Sequence, residues 1–182
     1  MFTDIFKAYM HGAFHDGTRN RLHRTFRFCQ KEREWLEMLQ DMLLKIGDKA
    51  WIYKEGKTRN LYALETTASF LKESVTPISL QTSEEKIAYI RGYFDAEGGV
   101  PSSATSQFYV QFCQKNQLEL TQLKKILDDI GINSGKVHIP SAAVDSHYFR
   151  FFVSSSSHKK FIEVINSWHP RKQAILHSRM KI

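Results

Sequence analysis

The sequence predicts an α+β protein of two pseudo-symmetric halves, each running helix, two strands, helix, two strands, helix. Three observations predict it. The tetrapeptide Phe28-Cys29-Gln30-Lys31 returns unchanged as Phe112-Cys113-Gln114-Lys115. At the same offset Leu36, Leu39 and Leu43 match Leu120, Leu123 and Leu127, and Ile46-Gly47 matches Ile130-Gly131. Upstream, Ala8 to Phe14 aligns with Ala88 to Phe94. A self-similarity this long marks one structural unit written twice.

Each element has its own warrant. Ala8 and Gly12, like Ala88 and Gly92, stand four apart, so small residues share one face of each first helix and two such helices can approach closely. Next, Arg19, Arg21, His23, Thr25 and Arg27 alternate with Asn20, Leu22, Arg24, Phe26 and Phe28. Period-two alternation assigns the first set to one strand face. Ser102, Ser103, Ser106, Gln107, Tyr109 and Gln111 form the uncharged counterpart in the second half. Leucines at three- and four-residue spacing then define amphipathic helices, each ended by glycine.

Hairpins follow. Trp51-Ile52-Tyr53 and Asn60 to Leu64 flank Lys54 to Lys57; Lys136-Val137-His138 and Tyr148 to Val153 flank Pro140 to Ser146. Closing helices are expected at about 67–72 and 158–167. The polar stretch Glu73 to Ser83, with Pro77 inside it, reads as the connector. The expected division is 1–80, with a first motif at 8–17, and 81–182, with a second at 88–98.

Composition narrows the partners. Of 182 residues, 26 are Lys or Arg and 19 are acidic, giving a net charge of +7 that favours a polyanion. No apolar run is long enough to span a bilayer, and the N-terminus lacks a secretory pattern. Cys29 and Cys113 make neither a disulfide framework nor a zinc motif, which fits a reducing compartment. The expectation is an intracellular protein, cytoplasmic with the nucleoid or organellar, not secreted and not bound to a membrane.

Ile90-Arg91-Gly92-Tyr93-Phe94-Asp95-Ala96-Glu97-Gly98 resembles the motif of the LAGLIDADG homing endonucleases, with Gly92, Asp95, Ala96 and Gly98 matching outright. The degenerate first copy, ending Phe14-His15-Asp16-Gly17, makes the chain similar to the single-chain, two-motif type. The resemblance implies a saddle of antiparallel sheet and a monomer that hydrolyses phosphodiester bonds of double-stranded DNA. It also implies that the motif helices pack together and deliver one acid each. Asp16 and Glu97 are then the ligands of Mg²⁺ or another divalent cation, which favours oxygen donors. Gln30 and Gln114 are candidates for ordering water at the cleavage centre, and Lys172 for the assisting base.

On the same resemblance, Arg19, Arg21, Arg24, Arg27 and Lys31 in one half would hold DNA, with Ser103, Gln107, Tyr109, Gln111 and Lys115 in the other. Unequal faces predict a target of loosely palindromic halves. The alternative is a catalytically inactive relative that binds DNA or RNA, as a maturase or a regulator. One departure from the pattern bears on that choice. Two residues separate Phe94 from Glu97, but only one separates Phe14 from Asp16. In a continuing helix the deletion turns Asp16 by about 100°; a loop at that point absorbs it. His11 and His15, four apart, suggest a zinc pair without a third ligand, and helix packing is the simpler reading.

Overall fold

The computed structural model describes residues 2–103 and 105–180, apart from the side chain of Met180. Phe6, Tyr9, Met10 and Ala13 recur at helical spacing, and they are the buried stripe of α1, Phe2–Ala13. α3, Ser83–Glu97, is its counterpart. It starts at a capping box in which Thr82 accepts from the Glu85 amide and Glu85 accepts from the Thr82 amide.

The two helices lie against each other through their glycines. A Cβ on Gly12 would collide with the Tyr89 carbonyl oxygen, and one on Gly92 with the Tyr9 carbonyl oxygen. The contact is reciprocal, as the small-residue spacing predicts.

In the first half β1, Gly17–Asn20, β2, Thr25–Gln30, β3, Ala50–Lys54, and β4, Tyr62–Thr66, form an antiparallel sheet ordered β1-β2-β4-β3. Phe26 and Phe28 face the core, under α2, Arg33–Lys45. α2 ends in a Schellman motif: Gly47, at φ 89°, donates to Leu44 and Asp48 donates to Leu43. α4, Gln117–Asp129, ends the same way at Gly131, φ 76°. Both glycine stops stand where the sequence puts them.

The second half repeats the plan with less regular strand. Among its described residues only β5, Gln111–Gln114, and β6, Phe149–Phe152, pair over several residues. Isolated bridges Gly99↔Gln111, Ser134↔Val153 and His138↔Arg150 stand where β1 and β3 stand in the first half. Each half closes on its own apolar cluster, and Leu80 packs against both.

Five expectations need correction. The strand expected through residues 102–111 begins only at Gln111. The helix expected at about 67–72 is a short 3₁₀ segment, Ser69–Lys72. The one expected at 158–167 is α5, His158–Val164, which stops before Asn166 at φ 57°. A further helix, α6, Pro170–Met180, was not expected, although a proline at a first helical position is a start signal.

The last correction concerns the first strand. Residues 21–24 are a turn, with Arg24 at φ 55°, so the alternating run is a hairpin and not one strand. Across a four-residue turn the parity of facing residues flips. Arg19 pairs with Phe26 and Thr18 with Arg27, so Arg19 and Arg27 lie on opposite faces.

Candidate functional site

The C-terminal ends of α1 and α3 lie side by side because the helices touch at Gly12 and Gly92. Glu97 is the last residue of α3, directly before Gly98. Asp16 ends the 3₁₀ segment Phe14–Asp16, directly before Gly17. The two glycines are equivalent, since a Cβ on Gly17 would collide with the Phe14 ring and one on Gly98 with the Phe94 ring.

The shortened first motif is absorbed by this change of helix type. The Gly17 amide bonds back three residues to the Phe14 carbonyl, whereas the Gly98 amide bonds back four to the Phe94 carbonyl. Three steps of about 2.0 Å in a 3₁₀ turn and four of about 1.5 Å in an α-turn both advance about 6 Å. Asp16 therefore stands at its glycine as Glu97 does, and the rotation expected of a continuing helix does not arise.

The carboxylates sense each other. Burial, followed by the charge of Asp16, raises Glu97 above the usual carboxylate range, while the charges of His15 and Lys172 oppose the rise. Asp16 is exposed at the surface, yet the protein packed behind it raises its pKa; a bond from Gln30 and the charge of Lys172 work against that. The Gln30 amide donates to Asp16 Oδ2. Gln114 is placed otherwise: its Oε1 accepts from the Lys115 amide at 2.7 Å.

Lys172 sits differently from a base on open surface. It is 4 % exposed, and its Nζ donates to the carbonyls of Phe94 at 2.7 Å, Asp95 at 2.8 Å and Gly98 at 2.7 Å. An ammonium has three donors. All three are committed to the end of α3.

Two tyrosines at equivalent helix positions organise what lies behind. Tyr9 accepts from Trp35 Nε1 at 2.9 Å and donates to Asp95 at 2.6 Å. Asp95 also accepts from Ser167 Oγ and from the Trp168 amide. Burial raises this carboxyl's pKa. On the other side Tyr89 donates to Glu119 at 2.7 Å, and His15 Nε2 lies 3.0 Å from Tyr89 Oη and 2.8 Å from Glu119. Burial opposes it, but His15 and Tyr89 hold Glu119 below its ordinary value.

Glu119 was not singled out from sequence, and Asp95 entered only as a motif match without a role. The repeat offset pairs Trp35 with Glu119, and an acid in place of a buried tryptophan was the available signal. His11 and His15 do not converge: His11 packs edge-on to Phe70 while His15 joins Glu119. No cluster of three or more His, Cys, Asp or Glu suited to a metal occurs among the described residues.

The predicted DNA-contacting residues are scattered. Arg19, Arg21 and Arg24 are exposed around the first hairpin turn. Arg27, on the outer face, is 3.0 Å from Glu55 and 3.9 Å from Glu65. Lys31 is exposed, and Lys115 lies 3.4 Å from Asp145. Ser103 and Gln107 belong to an irregular segment whose carbonyls at Ser103 and Ser106 accept from Arg179.

Tyr109 packs edge-on to Phe152, and Gln111 opens β5. Arg150, which sequence reasoning missed, shares the outer face with Gln111 and Cys113 and lies 5.1 Å from the Phe152 ring. The cysteines also lie on the outer faces and do not fill the cores: Cys113 Sγ donates to the Glu97 carbonyl at 3.1 Å.

Residues 84–166 match the model of the LAGLIDADG-like domain family. Among curated proteins none matches the chain. Solved structures do. A mesophilic variant of the homing endonuclease I-DmoI superposes with a TM-score of 0.72 at 18% identity, covering 98% of this chain and 100% of that one. I-DmoI in complex with DNA and Mn gives 0.65 at 19%, covering 90% and 97%. Full-length DUF199/WhiA from Thermatoga maritima gives 0.68 at 13%, covering all of this chain and 62% of that one. The chain has the LAGLIDADG fold, with residues 84–166 as a LAGLIDADG-like domain.

Proposed function

We propose that the protein is a divalent-metal-dependent endonuclease that hydrolyses phosphodiester bonds of double-stranded DNA, in a chain divided near residue 80. One observation carries the reading. Two carboxylates, Asp16 and Glu97, stand at matching ends of paired helices, near enough that one charge raises the other's pKa. Two like charges so placed are unfavourable unless a cation joins them, and hard divalent ions favour such oxygens. With two protein carboxylates, DNA phosphates and water must complete the coordination. Mg²⁺ or a similar ion, when bound, supplies charge neutralisation and an activated water. I-DmoI, of the same fold, has been solved with DNA and with Mn or Ca.

The remaining roles follow from position. Gln30 steadies Asp16 in one orientation. Gln114 faces its own strand end, where its amide nitrogen can reach water or phosphate. Lys172 acts on the backbone behind Glu97 and not on water, because its donors are used. Arg19, Arg21, Arg24 and Lys31 meet the phosphate backbone, where positive charge gives affinity without sequence preference. Arg150, Tyr109 and Gln111 face the bases of the second half-site.

The alternative is a binding protein on the same scaffold. It is favoured by the ligand count, two carboxylates and no larger cluster among the described residues. The test is incubation of purified protein with a randomised duplex library in Mg²⁺ and in Ca²⁺, followed by sequencing of bound and cut ends. Cuts in Mg²⁺ alone, lost by about 10³-fold or more in Asp16→Asn and in Glu97→Gln, are expected of a two-carboxylate nuclease. Selective binding without cutting in either metal would establish the binding protein instead.

A further inference from the structure

We infer that Lys172 is a positioning residue for Glu97: its ammonium clamps the last turn of α3 and thereby fixes where that carboxylate stands. The role rests on the reading of Glu97 as a metal ligand. A helix leaves its last carbonyls without partners inside the helix, and a cation there also meets the negative end of the helix dipole. Phe94, Asp95 and Gly98 supply three such oxygens, and Lys172 meets all three. They bracket Glu97 on both sides in sequence. The Glu97 backbone cannot shift without breaking at least one of these bonds.

The clamp is itself held. Asp95 accepts from Ser167 and the Trp168 amide, two positions in the segment leading into α6. Trp168 packs on Tyr9 of α1 at 4.4 Å between ring centroids, with the Arg91 guanidinium 4.9 Å from its own ring. His169 stacks on Trp35 of α2, and Arg171 lies 3.3 Å from Glu32. Segment 167–172 thus ties α1, α2 and α3 together at the point where the acids emerge.

Burying an ammonium is costly unless its donors are paired. Here they are, and burial lowers the Lys172 pKa only to about 8, which leaves it charged at neutral pH. Asp16 is held by another device, its own side-chain bond to Gln30. Loss of the lysine should therefore affect the two acids unequally.

The experiment compares wild type with Lys172→Met, which keeps the apolar stem and removes the donors. Three quantities are read: amide exchange across residues 94–99, Mn²⁺ affinity of the free protein by electron paramagnetic resonance, and the rate of nicking on each strand of a target duplex. Losing charge-assisted bonds at a buried helix end should speed exchange at Gly98 and weaken Mn²⁺ by about tenfold each. One strand should lose more cutting than the other, so nicked product accumulates.

A folded Lys172→Met protein with wild-type exchange and wild-type Mn²⁺ affinity overturns the inference. So does equal loss on both strands with exchange unchanged, since the lysine would then act on the reaction itself. If Lys172→Met does not fold, Lys172→Gln, which keeps amide donors, carries the comparison with a smaller change in exchange. If wild type cuts no duplex, the nuclease reading fails while the exchange measurement still decides the clamp.

Discussion

At the end of the first motif helix the chain has two residues between Phe14 and Gly17; at the end of the second it has three between Phe94 and Gly98. The first end closes as a 3₁₀ turn, is open to solvent and is held by one side-chain bond from Gln30. The second closes as an α-turn, is half-buried and is held through its backbone by Lys172. The networks behind them are also exchanged. One puts the acid on the motif helix, as Asp95, and the other takes it from α4, as Glu119. A pseudo-twofold thus preserves the position of a functional group without preserving the interactions that hold it.

The glycine contact is where the two ends are made neighbours, so its loss should have the largest effect. Gly92→Ala sets a Cβ against the Tyr9 carbonyl, a backbone atom that cannot swing away. A cost of about 3–5 kcal/mol, or failure to fold, is expected from overpacking at backbone. Denaturant unfolding measures it, and a loss under about 1 kcal/mol would mean the helices slide apart freely.

A second prediction tests whether the segment beside Lys172 is as dry as its geometry. Burial, with the neighbouring Lys172 charge, lowers His169 to about 4, from 6.5 when unfolded. In the window between those values the unfolded chain takes up a proton that the folded chain does not. Stability from this group is present above pH 6.5 and is lost as pH falls toward 4. The loss should be on the order of 3 kcal/mol and absent from His169→Gln, read as Tm against pH.

The smallest effect sharpens the comparison most. Gln30→Ala frees Asp16, whereas Gln114→Ala removes a side chain bonded to its own neighbour's amide. Strand-resolved cleavage should fall by about tenfold for Gln30→Ala and by under about threefold for Gln114→Ala. Equal losses would mean that Gln114 turns toward the reaction once DNA is present.

The leucine helices α2 and α4 were legible because their period and glycine stops are local. Gly47 and Gly131 need left-handed backbone, and leucine spacing names the buried face. The two acids came from the resemblance, whose motif sets each directly before a glycine, and the structure puts both at helix ends. The first hairpin was not legible, because Arg19 to Phe28 alternates equally well as one strand, and only Arg24's positive φ reveals the turn. Segment 101–110 failed for the opposite reason: its polar residues carry a strand-like pattern, but among its described residues no ladder forms before Gln111. The role of Lys172 was out of reach, since its three acceptors are backbone oxygens from a helix more than seventy residues away.

Arg27 has a consequence beyond its place in the sheet. It comes with its own counter-charges, Glu55 and Glu65, and the latter also accepts from Tyr53 and Thr25. With two carboxylates beside it, Arg27 adds no net positive charge to that face and so displaces few of the cations condensed on a polyanion. The ion release that makes basic surfaces sensitive to salt is therefore largely absent there. It belongs to Arg19, Arg21 and Arg24 around the hairpin turn, which stand open to solvent. On the proposed DNA binding, ionic strength thus acts on the hairpin tip and leaves the part of the sheet around Arg27 nearly indifferent.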